Sequence, residues 1–443
     1  MAASPARVAA FQVLLRVERE ASFAVELLHS KLLDDLDPAD RNLATEIVMG
    51  VLRWRSWVDE TIAHFSFTPF RKLDLEVLTA LRMGAYQILF LSRVPPHAAV
   101  NETVELVKEG RKASAAGLAN AVMRKILAQE KSGKRISSQG TLAEVFAHPE
   151  WLVQRWGEQF GYEVAQKICE YDQQVPETAL RLSSTAQEEG LRSDGIELGP
   201  GRLLNSARRV VSGDVTATEL FRSGSIAIQD EGSQLVAALV GEGKRILDCC
   251  AAPGGKTGAM AMRLPEAEIM AAELHPHRAR LLRQLVPQKN VQVITADAQQ
   301  LPFVAEFDRV LADVPCSGTG TMARNPEIKW RLKPEDLKDL QQRQIAILTA
   351  AMKHVVSGGR IVYSTCSLEP EEDEQVVTAA LAQHPEFHVI PIKEELLRLQ
   401  KSGELVWQDV DELVSGNFLR TIPGAQPCDG FFAAILERQT QNL

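Results

Sequence analysis

The sequence describes a multidomain protein: an all-α domain over residues 1–140, a small α+β connecting domain over 141–235, and a C-terminal α/β domain over 236–443. Three observations lead there. Apolar residues recur at helical spacing through the first third of the chain, the pattern breaks near residue 140, and from about residue 236 short apolar runs alternate with helix-like stretches. At about 100–200 residues per domain, 443 residues with 45% hydrophobic and 24% charged side chains suffice for several cores.

The N-terminal domain is helical on periodicity. Val8, Phe11, Leu14 and Leu15 repeat at helical spacing, as do Val77, Leu78, Leu81, Ala85, Ile88 and Leu89, and no alternating run competes with them. Pro38 after Asp37 and the Pro95-Pro96 pair before HAAVNETVELVKEG mark helix starts, because proline has no N–H to lose in the first turn. The last helical stretch and its tail are basic, with Lys108, Arg111, Lys112, Arg124, Lys125, Lys131, Lys134 and Arg135 against Glu105, Glu109 and Glu130. Such a face is either simply solvated or a docking surface for RNA or protein. The Ser, Gly and charged residues of KSGKRISSQG place a linker over about 129–140. Beyond it, a helix from Trp151 to Cys169 and the β-like pieces ETALRLS and SIAIQD make the connecting domain α+β.

In the C-terminal domain KRILDC, EIMAAEL, VQVITAD, FDRVLADV, GRIVYSTC, FHVIPI and DGFFAAILE read as strands, most of them separated by helix-like stretches. That alternation predicts a mainly parallel sheet covered by helices on both faces. Ligands of such sheets sit beyond the carboxyl ends of the strands, so the residues closing each run are the candidate site.

Composition bounds the setting. Six cysteines form no Cx2C pair and two of them, Cys249 and Cys250, are adjacent, which argues against a zinc ribbon and a disulfide framework; a reduced, cytoplasmic enzyme without a metal site is expected. No stretch approaches the ~18 uninterrupted apolar residues of a membrane span, and charges interrupt the N-terminal apolar stretches, so neither anchor nor signal peptide is expected. The net charge of -9 speaks against a polyanionic partner until it is divided: residues 1–140 carry +3 and the remainder -12.

The first strand ends in Asp248-Cys249-Cys250-Ala251-Ala252-Pro253-Gly254-Gly255-Lys256-Thr257. Its GKT ending invites a phosphate loop, but the opening glycine of GxxxxGK[ST] would fall where Cys250 stands. A small-residue turn between strand and helix also lets backbone approach a bound nucleoside. The second strand ends at Glu273, 25 residues after Asp248, a placement suited to ribose hydroxyls, and the third at Asp297, suited to an adenine edge. The fourth ends in Asp313-Val314-Pro315-Cys316. Carboxylates at four successive strand ends, without GxGxxG, point to an S-adenosylmethionine site over a nicotinamide site. The fifth strand ends Ser364-Thr365-Cys366-Ser367, which sets two cysteines at the mouth of the cleft.

A free cysteine is usually a buried small hydrophobe. Two of them beside a methyl donor have a chemical use. Carbon 5 of cytosine is too poor a nucleophile to attack a sulfonium methyl, but a thiolate adding to carbon 6 makes carbon 5 an enamine carbon that can. Elimination after loss of the carbon 5 proton returns the thiolate. Asp313 could hold the ring's amino and N3 edge and stabilise the adduct. Spacing leaves open whether Cys316 or Cys366 attacks.

DCCAAPGGKT, DVPCSGTGT and YSTCS resemble the signature motifs of the RNA cytosine-5 methyltransferases, and the N-terminal VNETVELVKEG and LANAVMRKIL resemble a NusB-type RNA-binding domain. Together with SGSIAIQDEGSQLVA and the closing GFFAAIL, the chain is similar to the bacterial RsmB (Fmu/Sun) family; residues 170–220 carry little of the match. The resemblance implies a Rossmann-like S-adenosylmethionine-dependent domain and methylation of one cytosine, position 967, of 16S small-subunit ribosomal RNA. It implies a donor pocket of Cys250, Ala251, Ala252, Pro253, Gly254, Gly255, Lys256, Glu273, Asp297 and Asp313. It also assigns Cys366 as nucleophile and Cys316 to adduct breakdown and product release, with Asp313 orienting the cytosine. Arg111, Lys112, Arg324, Asn325 and Lys329 are the expected RNA contacts, and the protein is expected to be a monomer. The run Glu369-Pro370-Glu371-Glu372-Asp373-Glu374 reads as a helix start with no catalytic part, and His275 and His277 as surface residues. Two alternatives are kept: an RNA-binding protein with an inactive methyltransferase domain, and a DNA cytosine-5 methyltransferase.

Overall fold

The computed structural model describes residues 3–132, 140–304 and 306–440. Lys134 and Arg135, and most of the expected linker, lie outside the described residues. The chain divides into two compact units, Met1–Val175 with Met322–Arg331, and Pro176–Thr321 with Leu332–Leu443. The boundary at Val175 falls inside the expected connecting segment 141–235: helices Leu142–Val145, Glu150–Phe160 and Tyr162–Asp172 lie with the first unit, and the strands lie with the second, together with helices Thr185–Ser193 and Glu219–Arg222. Among the described residues no helix is long and apolar enough to cross a membrane.

The first unit is helical, with long helices at Pro5–Glu20, Pro38–Arg53, Arg55–Phe65, Leu75–Phe90, Pro96–Glu109 and Ala116–Lys131. Asp37 caps its helix, one carboxylate oxygen accepting the Asp40 N–H at 2.8 Å, and Pro38 takes the first helical position. The helix Leu75–Phe90 is buried continuously from Val77 to Ile88, as a helix apolar nearly all round must be. Its one cation in that span, Arg82, is compensated by a two-pronged pair to Asp59 at 2.6 and 2.7 Å. Helices Glu150–Phe160 and Tyr162–Asp172 complete the unit.

The segment Met322–Arg331 is part of this unit although it follows the Cys316 loop in the chain. Glu327 accepts the N–H of Ala24 at 2.8 Å, the Trp330 indole donates to Leu52 O at 2.6 Å, and Arg331 donates to Val17 O and Ala21 O at 2.8 Å. Lys329 is 1% exposed. Its ammonium has no hydrogen-bond partner, and burial lowers it to about 7. The expectation that Lys329 grips RNA is therefore corrected: a lysine with its charge sealed in the interior cannot reach a phosphate. Arg324 and Asn325 are half-buried.

The second unit holds two sheets. The smaller comprises β1 (Ala179–Arg181), β2 (Glu197–Pro200), β3 (Ala207–Ser212) and β4 (Ala227–Ile228), antiparallel in the order β2-β3-β1-β4. The larger comprises β5 (Arg245–Asp248), β6 (Glu268–Glu273), β7 (Val291–Thr295), β8 (Phe307–Asp313), β9 (Val355–Thr365), β10 (Phe387–Ile390), β11 (Val414–Ser415), β12 (Phe418–Thr421) and β13 (Phe431–Arg438). Its order is β11-β12-β13-β9-β8-β5-β6-β7, with β10 beside β13. Strands β5 to β9 pair in parallel, whereas β10 to β13 are antiparallel. All seven expected runs form strands. The parallel half buries both faces, so Ile246, Leu247, Val310, Leu311, Ile361 and Val362 are all inaccessible, which is why these strands read as unbroken apolar runs.

Candidate active site

Because β5 to β9 are parallel, their carboxyl ends share one edge of the sheet, and all the expected carboxylates and both cysteines stand at or just beyond it. At the end of β5, Asp248 is buried and accepts the Thr257 hydroxyl at 2.7 Å, tying the strand to the first turn of the helix Gly255–Arg263. Burial pushes Asp248 up to about 7. Its second oxygen is buried without a hydrogen-bond partner among the described residues. The turn between them needs Gly254: its φ is +116°, and a Cβ there would press on Leu282 and Val286. Cys249 and Cys250 are pushed well above the ordinary thiol value by burial, so neither is a reactive thiol.

Glu273, closing β6, accepts the His275 N–H at 2.8 Å with one oxygen, and Asp297, two residues past β7, accepts the Gln299 N–H at 2.9 Å. His275 and His277 are exposed, as expected. Asp313 ends β8 with both oxygens engaged, one accepting the Ser364 hydroxyl and the other the Lys256 ammonium, each at 2.8 Å. Burial opposes the charge on Lys256, but Asp313 outweighs it and holds the ammonium above the usual lysine range. The ammonium also lies 5.0 Å from the centre of the Phe431 ring. Lys256, expected in the donor pocket, is thus also bound to Asp313.

The parallel pairing of β8 with β9 sets Asp313 opposite Ser364, and this register carries the loops after them together. Cys316 Sγ lies 3.3 Å from Cys366 Sγ and accepts the Cys366 N–H at 3.3 Å. The hydrogen bond to Cys366, then burial, then the charges of Cys366 and Glu372 push the Cys316 thiol well above its ordinary value. The Cys316 loop closes on the strand β13 through two glycines: Gly430 N–H donates to Gly320 O at 2.8 Å, and a Cβ on Gly320 would strike the Gly430 backbone. Glycine in both TGT and DGF motifs is thus a packing requirement.

The acidic run does not behave as a solvated helix start. The helix begins only at Glu374, and Glu369, Glu372 and Asp373 are wholly buried. Glu372 accepts hydrogen bonds from residues that follow both cysteines, and Asp373 accepts the Thr365 hydroxyl at 2.6 Å while pairing with Arg420 at 3.0 Å. Sequence reasoning missed these two. The available signal was position, since acids set directly after a strand-end cysteine lie over the same cleft.

A parallel sheet with a small-residue turn after its first strand and carboxylates along its carboxyl edge is the frame of a Rossmann-like methyltransferase, and the paired cysteines narrow the class to enzymes with thiols at hand. Comparison with known proteins agrees. Residues 237–437 match the profile of the 16S rRNA methyltransferase RsmB/F family and residues 4–128 that of the NusB family. The probable ribosomal RNA small subunit methyltransferase B of Bacillus subtilis is 30% identical, covering 97% of this chain and 98% of its own. The ribosomal RNA small subunit methyltransferase B of Klebsiella pneumoniae is 33% identical over 90% of each chain. The crystal structure of PH0851 superposes with a TM-score of 0.82 at 21% identity, over 99% of this chain and all of the other, and shares the fold. The chain belongs to the RsmB/F family of 16S rRNA methyltransferases, with a NusB-family domain at its N-terminus, and it is an enzyme of the methyltransferase class.

Proposed function

We propose that this protein transfers a methyl group from S-adenosylmethionine to carbon 5 of one cytosine of small-subunit ribosomal RNA, the family's position 967 of the 16S molecule. The observation that carries the reading is the pair of sulfurs 3.3 Å apart beside the Asp313–Lys256 pair.

The residues present fit the donor. Asp248 leaves a buried acceptor open at the turn, Gly254 keeps the backbone clear of side chain, and Glu273 has one oxygen outside any hydrogen bond among the described residues. In this reading Glu273 takes the ribose hydroxyls, Asp297 the adenine edge, and Cys250, Ala251, Ala252, Pro253, Gly254, Gly255 and Lys256 line the amino-acid end. When bound, the donor supplies an electrophilic methyl group.

The chain's own residues do the rest. Cys366 adds its sulfur to carbon 6 of the cytosine, and the ring electrons shift towards carbon 5. Lys256 sets an ammonium at the same cleft, bound to Asp313, and Cys316 lies 3.3 Å from the attacking sulfur. Asp313, held by Ser364 and Lys256, retains lone pairs that accept the amino N–H of the base and, once addition at carbon 6 leaves N3 protonated, the N3–H as well. Once carbon 5 is methylated, its proton passes to solvent, the freed electron pair restores the carbon 5–carbon 6 double bond, and the Cys366 sulfur departs as thiolate, assisted by Cys316. A base stacked in a helix is out of reach of such a cleft, so an accessible or flipped cytosine is the substrate.

Mapping 5-methylcytosine in ribosomal RNA from cells with and without the gene tests the reading: one small-subunit site should vanish, and an unchanged map would sink it. Calorimetric titration with S-adenosylmethionine separates it from an inactive RNA-binding protein, which would give no heat.

For RNA docking, Arg111 and Lys112 sit just beyond the helix Pro96–Glu109. Arg111 is exposed, whereas Lys112 pairs with Asp74 at 3.1 Å. Arg111→Gln is therefore expected to flatten the slope of log affinity against log salt by about 0.7–0.9, the value for one phosphate contact, and Lys112→Gln by less. Binding curves at several salt concentrations check this, and an unmoved slope places the RNA path elsewhere. Arg324 and Asn325 remain candidates for the same path.

A further inference from the structure

Both cysteine loops hang on one carboxylate. Glu372 is wholly buried. Its Oε1 accepts the N–H of Ser317, next after Cys316, at 2.8 Å, and the side-chain amide of Gln344 at 2.8 Å. Its Oε2 accepts the hydroxyl of Ser367, next after Cys366, at 2.6 Å, and the hydroxyl of Ser317. Gln344 also donates to Pro315 O at 3.0 Å, so the residues before and after Cys316 are tied to the same group. The two serine hydroxyls are themselves 3.1 Å apart. Four donors converging on one buried carboxylate make the strong, charge-assisted kind of hydrogen bond, and loops held this way have little freedom to wander.

We propose that Glu372 is a positioning residue for methyl transfer: it clamps the Pro-Cys-Ser loop to the Thr-Cys-Ser loop so that the two sulfurs meet. It touches neither sulfur through a hydrogen bond and acts through Ser317 and Ser367. The proposal rests on Cys366 as nucleophile and Cys316 as its helper. Without the clamp the two loops are joined by the Cys366 N–H to Cys316 contact, the Gly320 N–H to Cys366 O bond at 2.9 Å, the Leu368 N–H to Thr319 hydroxyl bond at 2.8 Å and hydroxyl contacts of Ser367 with Ser317 at 3.1 Å and Thr319 at 3.4 Å. None of these involves a charged group.

The test compares Glu372→Ala, Glu372→Gln and Cys366→Ala in the full-length protein, measuring kcat, KM for RNA and Kd for the donor. Glu372→Ala is expected to lower kcat about 100-fold, the cost of misplacing reacting groups by about 1 Å, with KM and Kd little changed. Glu372→Gln keeps an acceptor for Ser317 N–H and offers an amide to serine hydroxyls that can turn to accept, so it should recover most of the loss. A second readout needs neither RNA nor donor. Diamide should oxidise Cys316 and Cys366 to a disulfide, two thiols giving up two protons and two electrons to the reagent, readily in the wild type and more slowly in Glu372→Ala. Equal cross-linking rates, or wild-type kcat in both Glu372 variants while Cys366→Ala is inactive, would overturn the clamp. A loss confined to donor binding would overturn it too. Activity persisting in Cys366→Ala would instead refute the functional reading beneath it. Should Glu372→Ala not fold, the Ser317→Ala/Ser367→Ala double variant decides by the same measurements.

Discussion

Cys366→Ala is expected to abolish methylation of ribosomal RNA, with a fall in kcat on the order of 10^4-fold or more, the scale of losing a covalent nucleophile. The size follows from the chemistry: without addition at carbon 6, carbon 5 keeps its aromatic character and no neighbouring group can replace the step. The substitution should leave the rest of the site standing. Asp313 stays bound to Ser364 and Lys256, and the turn from Asp248 to Gly255 does not depend on the sulfur. Donor binding is therefore expected to survive, and calorimetry on the variant checks it. Labelled methyl transfer to the target RNA is the decisive measurement; activity near the wild-type level would show that the nucleophile is elsewhere.

Cys316→Ala is expected to behave differently, accumulating a covalent protein–RNA adduct while turnover falls. Cys316 Sγ lies 3.3 Å from Cys366 Sγ, within reach of the attacking sulfur. Removing it should leave addition and methylation possible and stall elimination. A denaturing gel with labelled RNA should show a band of protein plus RNA that requires donor, and the Cys316→Ala/Cys366→Ala double variant should show none. Normal turnover without adduct in the single variant would remove the release role and leave Cys316 as packing. An adduct surviving in the double variant would move the covalent link to another residue.

The placement of most candidate site residues along one sheet edge was legible in the sequence, for a physical reason. A strand buried on both faces is written as an unbroken apolar run, and a polar residue that ends the run must lie where the sheet meets solvent. Asp248, Glu273 and Asp313 were found this way, with Asp297 just beyond, and so were Cys316 and Cys366. The helices of the first unit were legible for the complementary reason, since Pro38, Pro96 and the helical repeat report local geometry.

What was not legible depends on partners distant in sequence. Lys329 reads as a surface cation, yet it is enclosed by the first unit near Asp172 and Cys169. Glu372 and Asp373 read as the acidic first turn of a helix, yet they are buried acceptors for loops that approach from elsewhere. The strands β11 and β12 are too short to mark themselves, and nothing in an apolar run such as GFFAAILE tells whether it will pair in parallel or antiparallel. A charged side chain looks the same in sequence whether water or four hydrogen-bond donors surround it.

Local patterning, then, is enough to specify the helices, the parallel strands and which chemical groups close them, because spacing and burial periodicity act over a few residues. The meeting of Cys316 with Cys366 arises only when β8 pairs with β9, and the joining of their loops only when Glu372 is buried between Ser317 and Ser367. Those contacts span about fifty residues of chain, and strand register, a property of the folded sheet, is what brings the two sulfurs to 3.3 Å.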